Sequence, residues 1–352
     1  MNKNKKINKK ISLFFIDSIN ECNGADQDDL IRHINLANNH GLKTKYLKIK
    51  KKNSKKIGLF LNQLYFTLKI SLLIPISINR NRKKWLIFFT NSYPYTTILS
   101  LVLFKLLRIK TLIHIHRVPN KKGLANVLFL IKIKTADNLF TTETIIKHKL
   151  QTMTTKKISC YNFFIPNNTI IIKPTNKPFT ISSLGAIREE KGVLDFLQLA
   201  QKVKNKDIYF NLIGKYSHKI NEFDKILTKT QQVQPNLNFS NKFLSEKELN
   251  EEIKNSSFVC LPYDKNSYTF RGSGILYDLL KHNTPFLGTD IPIFNHYKNL
   301  GMGFIYQTLD ELCDLILKLY IKKPKFNFEK IEKRIIQESY NYNYNKFIKE
   351  IG

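Results

Sequence analysis

The stretch Ser183-Leu-Gly-Ala-Ile-Arg-Glu-Glu-Lys-Gly192 decides how the sequence is interpreted, because it joins two different hydrophobic patterns. Phe179–Leu184 is typical of a buried strand, and Val193–Lys204 has the apolar spacing of a helix. A glycine turn at such a junction brings backbone N–H groups close to a ligand at the helix start. Arg188 and Lys191 add two cations there, which favours a pyrophosphate. A solvated charged turn is the alternative.

A second loop of this kind follows the apolar run Phe258–Leu261. It contains Arg271-Gly272-Ser273-Gly274 and leads into a helical stretch, Gly274–Lys281, whose first turns include Asp278. Small residues and a hydroxyl at a helix start suit either an ordinary N-cap or a phosphate contact. Neither loop has the GxGxxG or Walker pattern, so neither indicates NAD or P-loop chemistry. Because parallel strands share one carboxyl edge, we expect the two loops to lie on the same edge of one sheet.

Strand-like runs and helical patterns alternate along the whole chain, which predicts an α/β protein with parallel sheets. We expect two Rossmann-like doubly wound domains, residues 1–170 and 171–330, with a polar linker at Ile172–Pro178 and a ligand in the cleft between the domains. Residues 331–352 are expected to form a C-terminal helix that packs back toward the first domain. The expected strands of the first domain are Ile11–Ile16, Lys43–Ile49, Trp85–Thr90, Thr111–His116 and Asn138–Thr141.

The composition excludes several classes of protein. The 352 residues are 42% hydrophobic, which is enough for sizeable cores and excludes wholesale disorder and collagen. Four cysteines lie far apart without CxxC or CxxH spacing, so neither a zinc site nor a disulfide framework is expected. A reducing compartment is the simplest interpretation.

The positive charge is concentrated in one half of the chain. Residues 1–170 hold 31 Lys+Arg and 7 Asp+Glu, a net +24, whereas residues 171–352 hold 27 and 20, a net +7. Residues 30–136 contain 22 Lys+Arg and no carboxylate. The alternative is an AT-rich genome, which would give a chain rich in Lys, Asn and Ile, although this does not explain why carboxylates are missing from one half only. Such a field attracts nucleic acid, an anionic bilayer or a phosphorylated substrate.

Two segments bear on the relation to membranes. The lysine-rich start is followed by only Ile11–Ile16 before Asp17, which is too short for a signal peptide, so we expect no export. Gly58–Ser77 has about the length of a membrane span, but it contains Asn62, Gln63 and Lys69. An interfacial helix on an anionic bilayer, a core helix with basic ends and a true span all stay open for it.

Taken in order, these motifs resemble the nucleotide-sugar-binding half of GT-B glycosyltransferases, specifically glycosyltransferase family 4. The matching pieces are Gly185, Lys191-Gly192, Asn211-Leu-Ile-Gly214, Ser245-Glu-Lys-Glu-Leu249, Val259-Cys-Leu-Pro262, Arg271-Gly-Ser-Gly274 and Asn283-Thr-Pro285. In the first half, Thr111–His116 is similar to the family strand that ends in a histidine. Ala136-Asp137 with Glu143, and Ile165-Pro-Asn-Asn168, resemble two further family segments.

The resemblance implies a role for each candidate residue. Arg188 and Lys191 would hold the donor diphosphate, and His116 would contact the transferred sugar; the pair His114 and His116 also fits a structural feature or half a metal site. The other donor-binding candidates are Gly185, Gly214, Arg271, Ser273, Gly274 and Asp278, and the acceptor-side loop would contain Asn23 and Gly24. Asp278 falls where the family has the second of two glutamates, and Phe270 where it has the first. No metal or other cofactor is expected.

The function implied is transfer of a sugar from a nucleotide-diphosphate donor, with retention, to a lipid-linked or lipid-anchored glycan. The enzyme would be cytoplasmic and peripheral on the inner face of the cytoplasmic membrane, in the biosynthesis of polysaccharide, lipopolysaccharide or glycolipid. A nucleic-acid-binding or nucleic-acid-modifying protein would use the same basic half. An inactive glycan-binding relative would account for Phe270 in place of a glutamate.

Overall fold

The computed structural model describes residues 12–17, 34, 43–48, 68, 85–89, 94–119, 123–160, 177–216, 220–331 and 333. These residues form two compact units, each built on a parallel sheet in which six strands are described. The α/β class and the parallel sheets predicted from the alternation of patterns are confirmed. Four regions named by the sequence predictions lie wholly or largely outside the described residues: 18–33, 58–77, 161–176 and 334–352. The predicted domain boundaries therefore stay predictions.

The first unit has the strand order β2-β1-β3-β4-β5-β6. Its strands are β1 (Ser12–Asp17), β2 (Lys43–Lys48), β3 (Trp85–Phe89), β4 (Lys110–His114), β5 (Asn138–Thr141) and β6 (Ile158–Cys160). Its described helices are α1 (Pro94–Leu106), α2 (Leu124–Thr135) and α3 (Thr144–Gln151). The strand expected at Thr111–His116 is shorter in the structure, because β4 ends at His114. His116 therefore lies two residues after the end of β4.

The second unit has the strand order β9-β8-β7-β10-β11-β12, the 3-2-1-4-5-6 order of a Rossmann sheet. Its strands are β7 (Phe179–Leu184), β8 (Ile208–Gly214), β9 (Leu237–Asn241), β10 (Phe258–Leu261), β11 (Phe286–Thr289) and β12 (Gly303–Tyr306). Its helices are α4 (Val193–Lys202), α5 (Phe223–Val233), α6 (Glu246–Asn255), α7 (Lys265–Tyr268), α8 (Ile275–Lys281), α9 (Pro292–Asn299) and α10 (Leu309–Lys322). The order reverses between β7 and β10.

The core of the second unit follows from the period of its apolar residues. Every residue of β10 and β11 is buried, as expected for parallel strands covered by helices on both faces. Helix α4 packs on the sheet with a buried apolar stripe, which includes Val193, Phe196, Leu197 and Ala200. Sequence patterns gave no sign of β12 or α9, since a four-residue strand after a short polar segment is too short to show a period.

Candidate functional site

The two glycine-containing loops are adjacent because the strands before them are neighbours. β7 and β10 pair in parallel, with Ile181 opposite Phe258 and Ser182 opposite Val259. This is the point where the strand order reverses, and crevices for ligands form at such points beyond the carboxyl ends of the strands. The loops touch directly, since the backbone N–H of Asp264 donates to the carbonyl of Glu190 at 3.1 Å. The expectation that both loops lie on one sheet edge is therefore confirmed.

Glycines in these loops are required by close approaches of the backbone. Gly192 has a φ of +69°, and a Cβ there would lie 1.7 Å from the carbonyl oxygen of Pro262. A Cβ on Gly214, at the end of β8, would lie 1.5 Å from the carbonyl oxygen of Gly185. Gly185 itself has a φ of +97°, which side chains rarely allow. The glycines thus set the shape of the loop edge on which the charged side chains lie.

Three cations lie around one carboxylate at this edge. Nη1 of Arg188 lies 3.2 Å from Oε1 of Glu190, and Nη1 of Arg271 lies 4.0 Å from the same oxygen. The guanidinium of Arg271 also lies over the ring of Tyr268, 4.6 Å from its centroid. Nε of Arg188 is buried and has no hydrogen-bond partner in the part of the chain that the structure describes. A buried N–H donor of this kind lacks an acceptor, which a ligand oxygen would supply.

Lys191, the third cation, lies at the centre of the cluster. Its Nζ lies over the Tyr263 ring, 5.7 Å from the centroid, and 3.9 Å from the position that a Cβ on Gly185 would occupy. Burial lowers the pKa of Lys191, and the charges of Arg188 and Arg271 lower it further. An anion bound here would favour the charged ammonium and offset the repulsion among the cations. A pocket opens at this place, lined by Gly185, Arg188, Lys191, Leu212, Cys260 and Tyr263.

The loop after β10 contributes further polar groups. Ser273 is buried, and its Oγ lies 3.4 Å from the hydroxyl of Tyr263. Gly274 precedes α8 with a helical φ of −59° and open space around it. Asp278 is half-buried in the first turn of α8, and Phe270 is half-buried just before Arg271. The structure therefore brings Arg188, Lys191, Arg271 and Ser273 together, and places Gly274 and Asp278 on the adjoining helix.

His116 lies in the first unit, beyond the carboxyl end of β4. Its ring centroid is 3.5 Å from that of His114, whose ring stacks on Phe140 at 4.2 Å. Burial and the positive charge of Lys132 lower the pKa of His116 to about 3, so the imidazole is neutral at physiological pH. Lys132 is itself buried on α2, and burial lowers its pKa to about 7. A neutral imidazole is able to donate or accept a hydrogen bond.

Two acidic residues of the first unit, Asp137 and Glu143, take part in hydrogen bonds around β5. One oxygen of Asp137 accepts hydrogen bonds from the backbone N–H and the hydroxyl of Thr111, at 2.8 and 2.9 Å. These bonds connect the start of β4 to the residue before β5. Glu143 is buried at the N-cap position of α3, where its backbone N–H donates to the hydroxyl of Thr141 at 3.3 Å. Asp137 therefore fixes the start of β5 against β4, and the bond at Glu143 stabilises the turn after β5.

Metal-binding clusters and membrane-spanning helices are both absent from the residues that the structure describes. Within them, no three His, Cys, Asp or Glu side chains are grouped closely enough to bind a metal ion. None of the helices in this part of the chain is long and apolar enough to cross a bilayer. Asn23 and Gly24, the predicted acceptor-side residues, lie outside the described residues.

Sequence reasoning missed three residues of the cation cluster: Glu190, Tyr263 and Tyr268. Glu190 is one of two adjacent glutamates in a polar turn, and nothing in the pattern distinguishes it from Glu189. Tyr263 follows a buried strand in Leu261-Pro-Tyr-Asp264, a position at a carboxyl edge that would have justified its inclusion.

Several solved structures have a fold similar to that of nearly the whole chain. HepE of Anabaena, in complex with UDP, matches with a TM-score of 0.70 at 10% identity, over 97% of this chain and 98% of that one. Sucrose-phosphate synthase of Thermosynechococcus elongatus matches with a TM-score of 0.70 at 11% identity, over 97% of both chains. The lipopolysaccharide outer core galactosyltransferase WaaB matches at 0.67 and 13% identity, over 96% and 98%.

The chain has the GT-B fold. No protein-family model matches the sequence, and no curated protein is significantly similar to it. The GT-B fold predicted from scattered short motifs is thus confirmed by structure at identities where sequence comparison finds nothing. In GT-B terms, the cation cluster belongs to the second Rossmann-like unit and His116 to the first.

Proposed function

We propose that the protein is a glycosyltransferase that takes its sugar from a nucleotide-diphosphate donor. The observation that carries the proposal is the cluster of Arg188, Lys191 and Arg271 at the point where the second sheet reverses its strand order. Two phosphates need close cations and free N–H donors, and Arg188 and Lys191 supply both. HepE, which has the same fold, binds UDP, and is also known in complex with UDP and glucose.

The charges fit the chemistry of glycosyl transfer. When the bond between the anomeric carbon and the phosphate oxygen breaks, the leaving nucleoside diphosphate takes the electron pair and gains negative charge. Cations fixed before the reaction stabilise that charge most in the transition state. Arg188, Lys191 and Arg271 would do this without metal. The acceptor hydroxyl would bond to the anomeric carbon and pass its proton to the phosphate oxygen that leaves. The resemblance to family 4 supports retention of configuration.

The remaining candidates fit the two ends of such a donor. Ser273 and the backbone at Gly185 and Gly274 would bond phosphate oxygens, and Asp278 would bind the ribose. His116, neutral because its pKa is lowered to about 3, would bond a hydroxyl of the transferred sugar. Gly214 would act indirectly, because it allows the close approach of Gly185.

The acceptor we propose is a lipid-linked or lipid-anchored glycan, reached by an enzyme attached peripherally to the inner face of the cytoplasmic membrane. The net +24 of residues 1–170 supports this, since an anionic bilayer and a diphosphate-lipid carrier are both negatively charged. WaaB, which has the same fold, is a lipopolysaccharide galactosyltransferase. Polysaccharide, lipopolysaccharide and glycolipid biosynthesis all use such acceptors.

A thermal-shift panel of UDP, GDP, ADP, CMP and their sugar conjugates tests the donor site. A ligand that binds the folded state raises Tm by mass action, so the donor is detected without knowledge of the acceptor. We expect one nucleoside diphosphate to raise Tm in the wild type and in Lys265→Ala, an exposed lysine on α7. The same shift should be lost in Lys191→Ala. A folded wild type that responds to no nucleotide would contradict the proposal.

An inactive glycan-binding relative is the second candidate, favoured by Phe270 where the family has a carboxylate. Such a protein would bind the nucleotide but would not cleave the donor. Slow hydrolysis of the matching sugar conjugate in water distinguishes the two, because the enzyme releases nucleoside diphosphate over hours and the relative does not. Retention of DNA instead of vesicles at matched salt would favour the nucleic-acid alternative.

A further inference from the structure

Two neighbouring helices of the first unit carry aliphatic side chains on the outside. The side chains are Val102 and Leu106 on α1, and Leu124, Val127 and Ile131 on α2; their exposed fractions range from 40% for Ile131 to 75% for Leu106. The two helices pack against each other. We call these five residues the aliphatic face. Exposed leucines are common singly, but a group on adjoining helices indicates a surface with a partner.

The helix α2 has apolar residues on both of its sides. Phe129 and Ile133 are buried against the unit, and Leu124, Val127 and Ile131 recur at spacings of three and four on the opposite side. A surface helix of a globular protein is normally polar on its outer side. Helices that are apolar all round are normally covered, so the outer side of α2 is built to be covered by something.

Basic residues lie beside the aliphatic face. Four of them are exposed: Lys105 on α1, Arg108 after α1, Lys110 at the start of β4, and Lys134 in the last turn of α2. No Asp or Glu occurs from residue 30 to residue 136, so neither helix brings a carboxylate to this surface. The result is a group of aliphatic side chains with cations next to it, a combination that fits the headgroup region of an anionic bilayer.

Helix α10 of the second unit provides an internal contrast. It also exposes two aliphatic side chains and two lysines: Leu317, Ile321, Lys318 and Lys322. It exposes three carboxylates as well, on Asp310, Glu311 and Asp314. Mixed charges of this kind are typical of a solvated surface and would repel anionic lipid. The absence of carboxylates, and not the exposed leucine or lysine alone, therefore distinguishes the aliphatic face.

We propose that the aliphatic face is the surface by which the protein docks on a bilayer that contains anionic lipid. Leu124, Val127 and Leu106 enter the boundary between headgroups and acyl chains, and the neighbouring lysines bind lipid phosphates. A nucleic acid would need exposed aromatic rings or a groove of polar side chains, whereas this face is aliphatic. The inference locates the membrane attachment included in the proposed function, and it does not depend on donor binding.

Vesicle flotation tests the docking surface. Wild-type protein is mixed with vesicles of phosphatidylcholine with and without phosphatidylglycerol, and the bound fraction is measured. We expect binding to the anionic vesicles only, and a partition coefficient about tenfold lower for Leu124→Gln/Val127→Gln. The matched control is Leu317→Gln/Ile321→Gln on α10, which should bind like the wild type. Unchanged Tm in both variants shows that they are folded.

A second pair of variants separates charge from aliphatic contact. Lys105→Gln/Lys134→Gln should lower binding by about tenfold at low salt, and Lys318→Gln/Lys322→Gln should bind like the wild type. Equal binding by all variants would overturn the proposal, and so would failure of the wild type to float with anionic vesicles. A dimer that is lost in Leu124→Gln/Val127→Gln would overturn it in favour of a second copy of the chain. The nucleotide-dependent Tm shift, measured without vesicles, reports on the donor site separately.

Discussion

A lysine lies near the carboxyl edge of each sheet, but the surroundings of the two lysines have opposite effects on the positive charge that the edge presents. At the edge of the second sheet, Lys191 lies with two arginines around Glu190 and beside the ring of Tyr263, at the mouth of a pocket. At the edge of the first sheet, Lys132 is buried next to His116, and burial alone lowers its pKa to about 7. The edge of the second sheet therefore presents positive charge to a ligand. At the edge of the first sheet, burial disfavours the charged form of the lysine.

The two edges also differ in what fixes their geometry: close backbone approaches in the second sheet and side-chain contacts in the first. The second edge depends on glycines at Gly192 and Gly214, where backbone segments approach too closely for any side chain. The described part of the first edge is held by side chains: His114 stacks on Phe140, and the hydroxyl of Thr141 accepts from the backbone N–H of Glu143. A rigid backbone edge suits N–H groups that bind phosphate. An edge built from side chains suits contacts to a sugar.

Replacing Gly192 with alanine should have the largest effect on this contrast. A Cβ there meets the carbonyl of Pro262 at 1.7 Å, and the φ of +69° adds strain. The two loops would have to move apart, so we expect Gly192→Ala to lower the free energy of unfolding by about 3 kcal/mol or more. Urea denaturation measures the loss, and any nucleotide-dependent Tm shift should disappear with it.

Gly274→Ala is the matched control for stability. Gly274 has a φ of −59° and open space around it, so a methyl group should change the free energy of unfolding by no more than about 0.5 kcal/mol. Equal losses in the two variants would mean that the close approach of Gly192 to Pro262 does not hold the second edge together.

Replacing Lys132 with methionine tests the first edge. Because its pKa is lowered from 10.5 to about 7, the unfolded chain binds more protons between those values, and this lysine makes stability rise with pH from about 7 to 10.5. Below pH 7 the folded protein carries the full cost of a buried ammonium. We expect Lys132→Met to raise the free energy of unfolding at pH 6 by about 1–4 kcal/mol and to flatten that rise.

Denaturation at pH 6 and pH 10 measures both effects of the Lys132 substitution. Lys134→Met on the same helix is the control, since Lys134 is exposed and the substitution should leave the pH dependence as in the wild type. A variant Lys132→Met that is less stable than the wild type at pH 6 would show that the ammonium stabilises the first edge.

The fold followed from the sequence because its signals are periodic and local. The runs Phe179–Leu184 and Phe258–Leu261 are apolar without interruption, as buried parallel strands are, and glycines mark the turns after them. The meeting of the two loops could be inferred as well, because parallel strands share a carboxyl edge. The bounds of short elements such as β12 could not, since four residues carry no usable period.

The contacts within each edge depended on distances that no pattern contains. Glu190 contacts Arg188, two positions before it, and Arg271, 81 positions after it, and only the pairing of β7 with β10 brings them together. Lys132 was counted with the basic surface, yet it shares the spacing of Phe129 and Ile133 and is buried with them. Its position three residues after Phe129, on the same side of the helix, could have predicted that Lys132 is buried.

Glu190→Gln should have the smallest effect of these substitutions, and it tests whether side chains or the glycine backbone set the geometry of the second edge. The carboxylate offsets part of the charge of Arg188 and Arg271, so its removal leaves a more positive cluster for the diphosphate to meet. Against this, the half-exposed ion pairs that orient the guanidiniums are weak, of about 0.2–1 kcal/mol each. The charge effect should therefore prevail, and we expect a Kd for the nucleoside diphosphate about threefold lower by calorimetry.

Glu189→Gln is the control for this last substitution, because Glu189 is exposed and the neighbouring change removes the same charge farther from the guanidiniums. If Glu190→Gln weakens binding while Glu189→Gln does not, Glu190 acts mainly by positioning Arg188 and Arg271. The second edge would then resemble the first in relying on side-chain contacts for its geometry. Tighter binding would instead mean that its geometry comes from the glycine backbone, and that Glu190 only moderates the charge that this backbone presents.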